Sequence, residues 1–161
     1  MAGLGRRVAA TVVLLALLSG CAQPVRLSGP QVAFWAGRMA LRVEADQAQS
    51  FSAGFELKGD AQAGELSLFS PLGATIAQMA WKPGEARLRS DGKELHFGSL
   101  DALTRHATGT ELPVAGMFQW LAGENAEIAG WQADLRELGT GRLVARRSLP
   151  PPAVEIRLVL D

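Results

Sequence analysis

"ELSLFSPLGATIAQMAW", residues 65 to 81, decides the fold. Leu66 and Leu68 alternate with polar neighbours, Pro71-Leu72-Gly73 reads as a turn, and the run beyond it is again strand-like. Two such runs around a tight turn mark a hairpin with one buried face. One residue does not fit. Leu72, at the tip, would hold an isobutyl group in water and forgo about 1.5 to 3 kcal/mol relative to burial. Either the turn is folded under, or an apolar surface lies outside it.

The same period extends in both directions. "WAGRMALRVE" (35–44) sets Trp35, Met39, Leu41 and Val43 on one side and Arg38, Arg42 and Glu44 on the other. "SFSAGFELK" (50–58) groups Phe51, Ala53, Phe55 and Leu57. Gly59-Asp60, Pro83-Gly84 and Asp91-Gly92 are turn signals at short intervals, so these runs, with "EARLRS" and "KELHF", form an antiparallel meander. Residues 99 to 123 change period. Ser99 can cap "LDALTRHAT", which Gly109 stops, and Pro113 suits the first turn of "VAGMFQWLAG", with Val114, Met117, Phe118 and Leu121 at helical spacing. Both helices are expected to be short and apolar on one side. Strands resume with "WQADLREL", "GRLVARRSL" and "AVEIRLVLD", and Pro150 to Pro152 join the last two. The implied fold is mainly β (α+β): a curved antiparallel sheet whose concave side is covered by short helices.

The N-terminus carries a different signal. Arg6 and Arg7 precede an eleven-residue apolar run, Val8 to Leu18, that ends in Ser19 and Gly20. This is the make-up of a secretion signal, and it is too short to cross a bilayer, which takes roughly 20 residues. Leu18-Ser19-Gly20-Cys21 resembles the lipobox of bacterial lipoproteins, in which the cysteine is acylated and becomes the mature N-terminus. Cys21 is the only cysteine, so no internal disulfide forms in a chain bound for an oxidising space. In lipoproteins of this kind an aspartate after the cysteine retains the protein in the inner membrane. Here Ala22 follows, which implies the periplasmic face of the outer membrane. The expected division is 1–20 signal peptide, 21–33 lipidated N-terminus and proline-containing tether, and 34–161 one domain. Beyond the signal peptide 14 basic residues face 16 acidic ones, and no polybasic tract points to nucleic acid.

Chemistry is sparse. His96 and His106 lie in different expected elements, without HExxH or paired-cysteine spacing. Ser90-Asp91-Gly92-Lys93 matches the SxxK pattern of some acyl-enzymes but coincides with a hairpin turn. With no nucleophile elbow and no phosphate-cradling loop, the reading is a non-enzyme without metal or cofactor.

From Trp35 to the last strand, about 125 residues, the order of features resembles the LolB family of outer-membrane lipoproteins. "ELSLFSPLGATIAQMAW", the Pro83-Gly84 turn and "TGTELPVAGMFQWLAG" (108–123) carry the likeness. The resemblance implies an incomplete antiparallel barrel closed by helices around an apolar cavity. It implies a monomeric receptor that accepts lipoproteins from the periplasmic carrier LolA and delivers them to the outer membrane, with the acyl chains of the cargo as ligand. It implies that Leu72 protrudes and is needed for delivery, with Pro71 and Gly73 shaping its loop. Relative to the family the segment ahead of Trp35 is short and proline-rich, which implies a smaller helical lid and a more open cavity.

Candidate cavity residues follow from the alternation: Met39, Leu41, Phe55, Leu57, Leu66, Leu68, Ile76 and Leu88 from the sheet, and Phe118, Trp120 and Leu121 from the covering helix. Ordinary core packing is the alternative for each, and the tryptophans fit lining, rim or core. Two other functions stay open: an envelope lipoprotein carrying another amphiphile, and a structural envelope lipoprotein with a filled core.

Overall fold

A computed structural model describes residues 32–45 and 48–161; the signal peptide, Cys21 and the tether up to residue 31 lie outside the described residues. Nine strands run in chain order: β1 (Ala33–Glu44), β2 (Gln49–Gly59), β3 (Gly64–Phe69), β4 (Thr75–Lys82), β5 (Glu85–Ser90), β6 (Lys93–Phe97), β7 (Trp131–Asp134), β8 (Arg142–Arg147) and β9 (Ala153–Leu160). Two helices, α1 (Leu100–Thr108) and α2 (Val114–Leu121), separate β6 from β7. The strands form one antiparallel sheet in the order β6-β5-β4-β3-β2-β1-β9-β8-β7.

This order explains the covered barrel. β6 and β7 are the two free edges, yet they are consecutive in the chain, so the segment between them must pass from one edge to the other. It does so over the concave face and carries both helices with it. The sheet remains unclosed along that seam. The buried faces of successive strands meet in register: Leu57, Leu66, Met79 and Leu88 form one row across four strands, continued by half-exposed Leu95 on the edge strand β6, and Met39, Leu158 and Leu143 another across three. Each apolar cross-strand pair adds about 0.2 to 1 kcal/mol, and a slip of one residue would turn every member outward.

The turns and caps follow their residues. Asp91 and Gly92 have φ of 51° and 71°, the left-handed pair of a two-residue hairpin, so the SxxK match is a turn. The Ser99 hydroxyl accepts from the Ala102 N–H at 3.1 Å, and Gly109, at φ 75°, donates its N–H to the Arg105 carbonyl at the other end of α1.

Four expectations change. Pro113 stands just ahead of α2 rather than in its first turn, a shift of one residue. α2 is not one-sided: only Ala115 and Gln119 escape burial, because the 124–128 segment covers its outer face. Trp120 there donates its indole N–H to the Ala126 carbonyl at 3.0 Å, and a Cβ on Gly116 would come within 2.7 Å of Ile128. β7 ends at Asp134, not Leu138, because the Asp134 carboxylate accepts from both the backbone N–H and the guanidinium of Arg136 and bends the chain into a 3-10 turn at Leu138–Thr140. Phe51 is half-exposed, since β2 outruns β3, which pairs with it only as far as Gly54.

Among the described residues the buried apolar core lies wholly between Met39 and Leu158. A chain that begins at Ala22 therefore keeps every strand, both helices and the core.

Candidate functional site

The interior has two parts. At the end marked by Trp35 on β1, Leu57 on β2, Trp81 on β4 and Ala86 on β5 it is solid. The Phe118 ring from α2 stands edge-on to Trp35 at 5.7 Å and to Trp81 at 6.1 Å, and on the β7 side of the sheet, level with Arg147 and Val154, Trp120 packs against Trp131 at 6.4 Å. Aromatic pairs at these separations add about 0.5 to 1.5 kcal/mol beyond their burial. Trp81 also donates to the Asp60 carbonyl at 3.2 Å, and its ring occupies the space that a Cβ on Gly64 would take.

Toward the Leu72 end, beneath α1, a cavity of about 950 Å³ opens. Its wall is mainly aliphatic: Met39, Leu41 and Val43 of β1, Leu66 and Leu68 of β3, Ile76, Ala77 and Met79 of β4, Leu88 of β5 and Leu95 of β6, with the Phe51 ring of β2 beside them. α1 and the chain leading into α2 form the roof, through Thr104, Ala107, Thr108, Leu112 and Val114. Polar residues lie nearer the mouth: Gln49, Ser50, Ser90, Asp91 and Lys93.

The roof is bonded within itself and to the sheet. Thr104 donates its hydroxyl to the Asp101 carbonyl and accepts from the Leu112 N–H at 3.2 Å, while the Thr108 hydroxyl sits 2.9 Å from the carbonyls of Thr104 and Thr110. Arg105 pairs with Glu111. Arg147, on the inner face of β8 and only 8% exposed, donates to Thr110 Oγ1 at 2.5 Å and to the Glu111 carbonyl at 3.4 Å, and lies over the Trp131 ring at 5.5 Å. Because its acceptors are neutral, it ties roof to sheet without a buried ion pair.

The structure places Met39, Leu41, Leu66, Leu68, Ile76 and Leu88 on the cavity wall. It does not place Phe55, Leu57, Phe118, Trp120 or Leu121 there: all five are in the solid part of the core. The reason is steric. Phe55 sits opposite Gly37, and Leu57 opposite Trp35, where Phe118 fills the space between strand and helix; Trp120 points toward Trp131. Sequence reasoning missed Val43 and Met79, which the alternation already set on the inner face, and Thr104, Leu112 and Val114, whose place depends on how the helices cross the sheet.

Leu72 is 97% exposed. The turn beneath it is fixed: the Gly73 N–H donates to the Ser70 carbonyl at 2.9 Å, the Ser70 N–H to the Ala74 carbonyl at 2.8 Å, and Gly73 takes φ 82°. The ladder restarts with a register shift at Leu68/Phe69, so Leu68, Ile76 and Ala77 of the cavity wall stand at the foot of this loop. The exposed leucine and the hollow therefore share one end of the sheet.

These features define a class: an open antiparallel barrel whose interior is solid in one part and a mainly aliphatic hollow in another. Among the described residues no group of three or more His, Cys, Asp or Glu is placed to hold a metal, and no helix is long and apolar enough to cross a membrane. A family model described as "Outer membrane lipoprotein LolB" matches residues 34–148, and the chain belongs to that family. An outer-membrane lipoprotein LolB from Bordetella petrii is 33% identical over 176 residues, covering 92% of this chain and 88% of its own length. Its namesake from Thiobacillus denitrificans is 28% identical over 182 residues, with 97% and 96% covered, and that from Shewanella denitrificans 30% identical over 136 residues, with 76% and 66% covered. Membership gives the chain a non-enzymatic role in lipoprotein transport at the outer membrane.

Proposed function

We propose that this protein accepts lipoproteins from the carrier LolA, holds their acyl chains in the cavity, and inserts them into the outer membrane through the Leu72 loop, while Cys21 anchors it to the periplasmic face of that membrane. The observation that carries this reading is the meeting, at one end of the sheet, of an aliphatic hollow with a leucine held 97% exposed. A leucine kept out of water by nothing is costly unless its partner is apolar and external.

Three acyl chains of about fifteen methylenes represent on the order of 36 kcal/mol of transfer free energy, so they move only between apolar hosts that meet nearly dry. At roughly 30 Å³ per small group in a liquid, the cavity has room for roughly 30 methylene-sized groups, or two of the three chains. The open mouth leaves the third chain to the carrier or the bilayer. The test is transfer of a lipoprotein from LolA to a soluble version that begins at Ala22: stable one-to-one capture supports the reading, and retention of the cargo on LolA opposes it.

The same volume favours a second reading, carriage of a free two-chain amphiphile. Mass spectrometry of lipids that co-purify with the protein separates the two, since bound free lipid without lipoprotein uptake selects the second.

A further inference from the structure

Antiparallel pairing puts the β8–β9 turn at the same end of the sheet as the β3–β4 turn that carries Leu72. The two tips are four strand spacings apart, roughly 19 Å along the sheet at about 4.8 Å per strand. Residues 148–152 of the β8–β9 turn read Ser-Leu-Pro-Pro-Pro, and Leu149 is 71% exposed, second only to Leu72 among the large apolar side chains described. This is no loose excursion. The Leu149 carbonyl is seated so closely on Gly130 that a Cβ there would meet it at 2.6 Å, and Arg147 donates to the Pro152 carbonyl at 3.3 Å. The backbone is held down and the side chain held out, as at Leu72.

Beside this turn lies a groove of about 270 Å³ in which the exposed guanidinium groups of Arg42, Arg146 and Arg157 face two carboxylates, Glu44, paired with Arg42 at 3.5 Å, and Glu155, while Arg147 lines the groove but turns its guanidinium inward. Glu155 is shared, at 2.6 Å, by Arg146 and Arg157, and both hold its carboxyl below the usual range, Arg157 first. One positive charge is left over next to an exposed leucine. A protein that works at a membrane has a surface of matching chemistry within reach, an apolar interior beneath anionic phosphates.

We propose that the Leu149 turn is a second membrane contact, its leucine entering the acyl region while the arginine groove receives the phosphates of anionic phospholipid. The proposal rests on the reading that the Leu72 end faces the bilayer. Two tips with a charged footing fix the orientation of the cavity mouth over the membrane, which one leucine alone does not.

The test is partition of the chain beginning at Ala22 onto phosphatidylethanolamine vesicles with and without phosphatidylglycerol. Leu149→Glu is expected to lower partition about tenfold and Leu149→Ser to lower it less, with the thermal midpoint and uptake of a hydrophobic dye by the cavity unchanged. Arg42→Gln with Arg146→Gln is expected to abolish the gain from phosphatidylglycerol and leave binding to the zwitterionic vesicles as it was. Wild-type partition by both Leu149 variants overturns the proposal, as does a phosphatidylglycerol gain that survives the arginine changes. No LolA or cargo enters this assay, so failure of lipoprotein capture sinks the receptor reading alone, and failure here sinks only the second contact.

Discussion

The two ends of the interior are built on one sheet with one alternation, yet one is filled and the other hollow. The difference lies in what comes down from above. α2 drives Phe118 and Trp120 into the sheet and is itself covered by the 124–128 segment, so that end is packed from both sides. α1 buries only Leu103 and Thr104 and brings Thr104, His106, Ala107 and Thr108 to the cavity that Met39, Leu41 and Leu88 line from the sheet. A hollow is therefore left where no Phe or Trp comes down from the helix above. The filled end secures the fold, and the empty end is left free to take an apolar guest.

The sharpest way to break this contrast is to truncate one residue at each end. Trp120→Ala, at a fully buried ring, is expected to cost about 3 to 5 kcal/mol in denaturant unfolding. Leu68→Ala on the cavity wall is expected to cost clearly less, about 1 to 2 kcal/mol, because its side chain already lacks neighbours on one side, and to raise dye capacity. Equal losses at the two sites would mean that the hollow is filled in solution. Ser99→Ala removes the cap of α1 and is expected to cost about 1 kcal/mol, with faster amide exchange in residues 100–108 than in α2.

The smallest effect concerns the exposed bend after β7. The Arg136 guanidinium, then its backbone N–H, hold the Asp134 carboxyl at about 2, against an ordinary 3.8. A depressed carboxylate stabilises the fold above the unfolded value, and that contribution fades as pH falls from there through about 2. Titration followed by NMR is expected to show the low value, and Arg136→Ala to return it toward 3.8.

Much of this was legible in the residues. Period two gave the strands, Asp91-Gly92 the hairpin, and Ser99 and Gly109 the limits of α1, because each is a local preference that tertiary structure had no reason to override. Periodicity reports which face is inward but not how far the opposite layer stands away. Phe55 and Leu57 therefore read the same as Met39 and Leu68, although the first two meet aromatic packing and the others line space. Arg147 falls on the inner face by the same alternation as Leu143 and Ala145, a signal that an arginine at that phase must be bonded inside. Its partners in the α1–α2 connection are 36 and 37 residues away, beyond the reach of any local pattern. Leu149 was hidden in a proline run whose seating on Gly130 only the fold reveals.

The central claim is that the hollow end, tipped by Leu72, is where cargo leaves for the membrane. Its most direct test is incorporation of a LolA-bound lipoprotein into outer-membrane vesicles by the Leu72→Glu variant. With 97% of this side chain already in water, stability is expected to stay within about 0.5 kcal/mol of wild type and dye uptake to be unchanged, while incorporation is lost. Incorporation at the wild-type rate by this folded variant would contradict it.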